Sequence, residues 1–350
     1  IDPYDKTKLA KKRSALGRFA HESAAFGTPV AGQPLAEYMG DDSRGEYIYK
    51  FVSTASWNAA DATATDKLAV GDKYLNSGTL YVAKYNADGT GQWLELSLAN
   101  PLVQNYATYS FADAADVCVN ARLAADAVGA TKMDRPEWCS ANVANGEIYF
   151  TLTNNSNRRA EPTGSQMAPD AANPRAYTDT NGAGTSSGNV NGHVLRMKEG
   201  AAGSAATSFT WDVYVFGAQS DADTSNVNLS KLTADQDFSS PDGLVFSPST
   251  GILWIQTDDG AYTDVSNCMM MGALPGQVGD GAKQSVSYTR ADASTFSVDT
   301  FVGKAPSPDQ LKRFLVGPKD SEITGLCETP DGKALFINIQ HPGEGTKQAD

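Results

Sequence analysis

The chain has 350 residues, ample for one large domain or two ordinary ones, and carries 41 Asp+Glu against 28 Lys+Arg for a formal net charge of −13. Such a surface repels phosphate backbones and anionic lipid, which argues against nucleic-acid and membrane-surface binding. No apolar run approaches the roughly 18 residues of a spanning helix, and the three histidines, His21, His193 and His341, lie too far apart in sequence for a His-based zinc site.

The first predicted element is a helix over 6–15, whose basic cluster Lys8, Lys11, Lys12 and Arg13 reads as a solvated face. Strands follow over 46–53 (EYIYKFVS), 79–85 (TLYVAKY) and 93–98, with Asp88-Gly89-Thr90-Gly91 as a turn. A second helix is predicted over 112–128, with Ser110 as its cap and Gly129 at its end. After a strand over 147–153 (EIYFTLT), the stretch 154–191 is mostly Asn, Ser, Gly, Thr, Pro and Ala. So long a polar loop inside a domain is a lid, a binding loop or a mobile insertion, and the mobile insertion is expected. Further strands are predicted over 208–216 (SFTWDVYVF), 252–257 (ILWIQT), 295–302 and 334–340 (ALFINIQ). Cys118, Cys139, Cys268 and Cys327 form no C-x-x-C pair and read as buried small hydrophobes.

An internal repeat organises these elements. Pro136-Glu137 precedes Gly146 and the strand Ile148-Tyr149-Phe150, and Pro241-Asp242 precedes Gly251 and Leu253-Trp254-Ile255 at the same spacing. A looser copy runs from Glu322 through Pro330-Asp331-Gly332 into Leu335-Phe336-Ile337. Each unit reads carboxylate, strand, turn, strand and polar end, as in β-propeller blades. The expected fold is all-β: one β-propeller domain over 1–350, with two short helical insertions and the 154–191 loop. At roughly 40–50 residues per blade there is room for about five or six; whether the ring closes within the chain stays open.

Inner strands of a propeller line its channel, so Glu137, Asp242 and Glu322 should converge as a ring of carboxylates. Like charges brought together raise their pKa values or recruit a hard cation such as Ca²⁺, Mg²⁺, Mn²⁺ or ferric iron. The turns Pro330-Asp331-Gly332 and Asp258-Asp259-Gly260 are expected to face solvent. Arg135, two residues before Glu137, should emerge on the same strand face, free of a saturating partner, with its fork available for phosphate oxygens. His21-Glu22, taken alone, reads as surface. No G-x-S-x-G elbow, P-loop or dinucleotide fingerprint is present.

Several stretches resemble the PhoX-type alkaline phosphatases: GRFAHE (17–22), YMGDD (38–42), GTLYVAKYNADGTGQW (78–93), ARLAADAVGATKMDRPEW (121–138) and LTNN (152–155). GHVLRM (192–197), SPDGLVFSPSTGILWIQTD (240–258), KRFLVGP (312–318), EITG (322–325) and TPDGKALFINIQHPGE (329–344) extend the likeness in the family's order. The resemblance implies a six-bladed propeller-like fold whose channel holds Ca²⁺ and Fe³⁺. It implies hydrolysis of small phosphomonoesters at alkaline pH, after twin-arginine export to the periplasm or medium. Carried over by motif, Glu22, Glu137, Asp242 and Glu322 are metal ligands and Arg135 is the catalytic, phosphate-binding arginine. The family's segment with an iron-ligating cysteine, and its segment after QHPGE, have no counterpart here, so the resemblance implies part of a longer chain. Gly243 stands where the family often has Asn. Two other readings stay open: a non-catalytic, calcium-stabilised propeller acting as a binding module, and a single-calcium lactonase-like hydrolase.

Overall fold

Runs of alternating β-branched and aromatic residues become strands wherever one face can be buried. The computed structural model describes residues 1–181, 184–258 and 266–343. The N-terminal strands are β1 (His21–Phe26), β2 (Pro34–Asp41), β3 (Ile48–Ser56), β4 (Gly78–Tyr85) and β5 (Thr90–Glu95). Next come β6 (Pro136–Asn142), β7 (Glu147–Leu152), the hairpin β8 (Tyr177–Asn181) and β9 (Gly184–Gly188), then β10 (His193–Glu199) and β11 (Ser208–Phe216). The rest are β12 (Pro241–Phe246), β13 (Leu253–Thr257), β14 (Met269–Ala273), β15 (Ala282–Thr289), β16 (Thr295–Val302), β17 (Leu311–Val316), β18 (Glu322–Glu328) and β19 (Leu335–Gln340). Four short helices interrupt them: α1 (Lys67–Leu75), α2 (Pro101–Gln104), α3 (Ala114–Val119) and α4 (Ala121–Ala127).

β1 to β5 pair in chain order, and β5 continues through β11, β10 and β7 to β6. A second sheet runs β12-β13-β14-β17, and β18 pairs with β19. The ladders are antiparallel except where β16 meets β11 at Val302 and Val213. β6 packs beside both β1, at the other end of the same sheet, and β12, and β12 packs beside β18, so these four strands stand next to one another. The fold is all-β and propeller-like. Apolar residues fill the spaces between sheets: Tyr149, Val215, Leu244, Ile255 and Met271 form one core, and Tyr49, Phe51, Val82, Ala121 and Ala125 a second against α4.

The helices depart from expectation. Residues 6–8 form a turn and a bend and 9–13 have no regular structure, followed by a 3₁₀ turn at Ser14–Leu16. Leu9 is 87% exposed, so a helix there would have no apolar face to bury. The basic cluster instead docks on α1: Arg13 donates to Asp72 (2.6 Å) and Asn76 (2.7 Å), and Lys11 pairs with Asp72. The predicted helix over 112–128 is two helices broken at Asn120, capped by Asp113 rather than Ser110. Gly129 follows it with φ 66°, as a helix terminus requires. α1 escaped prediction because Gly71 and Lys73 interrupt its apolar face; Asp66 caps it through Ala69 N.

The polar stretch 154–191, expected from its composition as a mobile insertion, has regular structure and buried side chains among its described residues. It contains the β8–β9 hairpin, and it buries Arg158, Asn173, Arg175 and Asn189 at 1% exposure or less. These buried polar residues point inward because they have partners there, whereas others, such as Glu161 and Thr163, are exposed.

Candidate functional site

Four strand starts bring carboxylates together, and three of them do so by the same local device. The ladders of β1, β6 and β12 bulge between His21 and Ala24, Pro136 and Cys139, and Pro241 and Leu244. Glu22, Glu137 and Asp242 are the first residues inside those bulges. An extra residue in one strand re-aims its side chains and strengthens the local twist, turning what would be a sheet-face residue toward the strand end. In β18 the bulge falls later, between Thr324 and Leu326, and Glu322 pairs opposite Gln340.

The approach to three of these strands is also shared. Arg135 (φ 57°), Ser240 (φ 50°) and Asp320 (φ 52°) each stand two residues before the carboxylate in left-handed backbone. Their carbonyls are caught just past the paired strand, by Thr153 N (3.2 Å), Asp258 N (3.1 Å) and Gly343 N (2.9 Å) respectively. Left-handed backbone costs a non-glycine residue about 1–3 kcal/mol, and Arg135 and Ser240 also stand before proline, where extended backbone is preferred; the conformations persist because the tertiary structure over-determines them. Arg135 therefore precedes β6 rather than lying on it. It shares a cavity with Glu137 through the turn, not through strand alternation.

The cavity, about 290 Å³, is lined by Glu22, Asp42, Glu137, Asp242, Asp258 and Glu322, by Arg135, and by Trp138, Gly243, Thr324, Gly325 and Gln340. All five residues singled out in the sequence are present. Two carboxylates were missed there. Asp42 follows β2 in the YMGDD motif, and Asp258, expected to face solvent in a turn, lies at the polar end of the second repeat. Asp259, Gly260 and Glu344 lie outside the described residues. Asp331, by contrast, makes the exposed turn expected of it, accepting from Thr329 Oγ1 at 2.7 Å. None of the four cysteines lines the cavity.

Asp42 is held by its neighbours. Asp41 is fully buried, receives Arg122 Nε from α4 at 2.8 Å, and accepts from Ala20 N at 3.1 Å. Asp42 N donates to Ala20 O at 2.9 Å, so one clasp fixes both the end of β2 and the start of β1. Gly40 allows the close approach: a Cβ there would stand 2.5 Å from Glu137 O and 2.7 Å from Pro136 O. As a result, ligand oxygens of Glu22, Asp42 and Glu137 all lie within 4.8 Å of one another.

Arg135 is not free of partners. It meets Asp42 in a fork, Nε to Oδ1 at 2.8 Å and Nη2 to Oδ2 at 3.1 Å, and Nη2 lies 3.1 Å from Glu137 Oε1. These partners belong to the cavity itself, because a lone guanidinium among acids pairs with the nearest carboxylate. Glu137 is 2% exposed, and its Oε1 is buried with no hydrogen bond. Burial, then Asp242 and Asp42, push the Glu137 carboxyl far above the ordinary range against the pull of Arg135. Burial and then Asp258 raise Asp242, and burial and then Asp42 raise Glu22. Clustered, desolvated acids of this kind favour either protons or a cation. The donor set is all oxygen, with an orphaned buried acceptor at its centre, and it fits hard ions such as Ca²⁺ and ferric iron.

The sequence profile of the family described as alkaline phosphatase PhoX matches residues 1–343. The chain belongs to the PhoX alkaline phosphatase family. Its fold is similar to that of Pseudomonas fluorescens PhoX, solved in complex with vanadate, a transition state analogue, at TM-score 0.74 and 34% identity. That likeness covers 99% of this chain and 53% of the other, so the chain spans about half the length of that PhoX. A protein of unknown function from Dyadobacter fermentans overlaps at TM-score 0.24 and 10% identity, covering 92% of this chain and 71% of that one, too remote to carry an argument. No protein of curated function matches the sequence.

Proposed function

We propose that the cavity binds and hydrolyses small phosphomonoesters at alkaline pH, in a protein exported to the periplasm or medium, with Ca²⁺ and Fe³⁺ as its metals. The observation that carries this reading is one guanidinium set among six carboxylates at the converging ends of β1, β6, β12 and β18. Glu22, Asp42, Glu137, Asp242 and Glu322 would hold the cations, with Asp258 beside Asp242. When bound, such ions supply Lewis-acid stabilisation of the phosphoryl oxygens.

The remaining chemistry belongs to the chain's own side chains. Arg135 exchanges Asp42 for two non-bridging phosphate oxygens and stabilises the charge that grows on them as the alcohol leaves. Burial of Glu137 keeps bulk water from competing at those oxygens. Among the described residues, Thr324 is the one serine or threonine that lines the cavity.

The test is Arg135→Lys, which keeps the charge and loses the fork. Turnover of p-nitrophenyl phosphate should fall by roughly 10²–10³-fold, the usual cost of one preorganised donor. Metal content should be unchanged. Elemental analysis separates the alternatives: iron with calcium supports the phosphatase, whereas calcium alone would favour a lactonase-like hydrolase or a non-catalytic module.

A further inference from the structure

The polar stretch 154–191 poses a question that its composition leaves open: why so many Asn and Arg side chains are buried beside, but outside, the cavity. They converge on Asp134, the residue before Arg135. Asp134 is fully buried. Its Oδ1 accepts from Asn155 Nδ2 (2.7 Å) and from Arg158 Nε (3.0 Å) and Nη2 (2.8 Å), and its Oδ2 accepts from Asn189 Nδ2 (3.0 Å). Arg158 is 1% exposed and also donates to Lys132 O (2.9 Å) and Ala168 O (2.6 Å). One side chain thus grips both sides of the turn that leads into Arg135.

The same turn is tied to the segment carrying Asp42. Asp134 bridges Arg44, Gly45 N donates to Met133 O (2.9 Å), and Met133 N donates to Glu46 O (2.9 Å). Asp42 and Arg135 therefore leave adjacent, mutually bonded segments and meet as a forked pair at their ends. Between the clamped Asp134 and the ring of Pro136, Arg135 takes left-handed backbone, with φ 57°.

We propose that Arg158, acting through Asp134, is a positioning residue for Arg135: it locks the left-handed turn that aims the guanidinium into the cavity. The assignment rests on the reading of Arg135 as the phosphate-binding group. Functional side chains are effective only when their own supports are rigid, and a loosened support costs affinity without removing any contacting atom. The stretch that composition marks as a loose insertion is, on this account, the support of the oxyanion site.

The experiment measures orthovanadate binding by calorimetry for the full protein, with melting temperature and metal content followed in parallel. Arg158→Lys keeps the charge opposite Asp134 but loses the fork that also holds Lys132 O. It should weaken vanadate about 10-fold with metal content unchanged. In the double variant with Arg135→Lys, the two losses should fall well short of adding, because both act through one guanidinium. A lowered melting temperature with unchanged vanadate affinity, or losses that add in full, would overturn the positioning role. If Arg135→Lys alone leaves vanadate affinity untouched, the phosphate reading fails first and this inference with it. Should Arg158→Lys not fold, Asn155→Ala removes one donor to Asp134 without disturbing the charge pair, and the same expectation applies.

Discussion

Around Asp134 and around Glu137, a few residues apart in sequence, the fold buries charge in two different ways. At Asp134 both carboxylate oxygens are engaged by Asn155, Arg158 and Asn189. Nearby Arg175, fully buried, uses all five of its donors: on Asn189 Oδ1 twice, on Gly217 O and Val227 O at 2.7 Å each, and on Gly192 O. At Glu137 the account does not balance: acids face acids, Arg135 is the cavity's only cation among the described residues, and a buried oxygen has no hydrogen bond. The contrast separates structure from function. A polar network whose members satisfy one another specifies the fold, whereas one left short of positive charge is built for something that arrives later.

The largest expected effect lies in the saturated network. Arg158→Met leaves the Asp134 carboxylate buried without a cation, and should destabilise the protein by about 3–5 kcal/mol, read as a lowered denaturant midpoint. A loss below 1 kcal/mol would mean that water reaches Asp134 and that the two regions differ less than their geometry says.

Calcium should act on the other region alone. Added to chelator-treated protein at roughly 100 times its Kd, it should stabilise by about 2.7 kcal/mol. Its increment should be the same in Asn155→Ala as in the parent, since that change lies outside the cavity. An unchanged melting temperature after exhaustive chelation and calcium readdition would remove the cavity's claim to be a metal centre.

The pH dependence separates the regions further. His193 belongs to the saturated network: its Nε2–H donates to Ala172 O (2.9 Å) and its Nδ1 accepts from Asn189 Nδ2 (3.0 Å), so it is held neutral. Burial takes its pKa from 6.5 down to about 3. The unfolded chain therefore takes up the proton first; stability is complete above pH 6.5 and falls as pH drops toward 3. The slope from this group is about 1.4 kcal/mol per pH unit, and His193→Gln should flatten it. A slope unchanged in the variant would assign the acid sensitivity to other groups.

The smallest effect has the opposite sign. Glu137→Gln removes a group whose ionisation burial and its acidic neighbours oppose in the folded state, so metal-stripped protein should gain on the order of 1 kcal/mol. The same variant should lose most of the calcium increment. Arg158→Met and Glu137→Gln would thus move stability in opposite directions, each by replacing one buried ionisable group.

Much of this was legible in the chain itself. The predicted strands 208–216 and 295–302 coincide with β11 and β16, because their aromatic and β-branched residues alternate cleanly. The repeated carboxylate marked Glu137, Asp242 and Glu322, since equivalent positions in equivalent units must face the same way. Asp42 and Asp258 carried weaker signals, a doubled acid after a glycine and a polar strand end, patterns that solvent-exposed turns share.

What residue order alone could not decide was partnership. Composition reports that 154–191 is polar, but whether a polar side chain meets water or another buried group depends on segments distant in sequence, as Asp134 depends on Asn189. The left-handed backbone at Arg135 and Ser240 runs against the local preference of a residue before proline, and tertiary hydrogen bonds, among them those from Thr153 and Asp258, hold it there. Sequence set the strands, their repeat and the acids at their ends, because those follow from side-chain type and period. Tertiary structure decided which charges are saturated and which wait for a ligand, because saturation is a property of geometry among groups that the chain keeps apart.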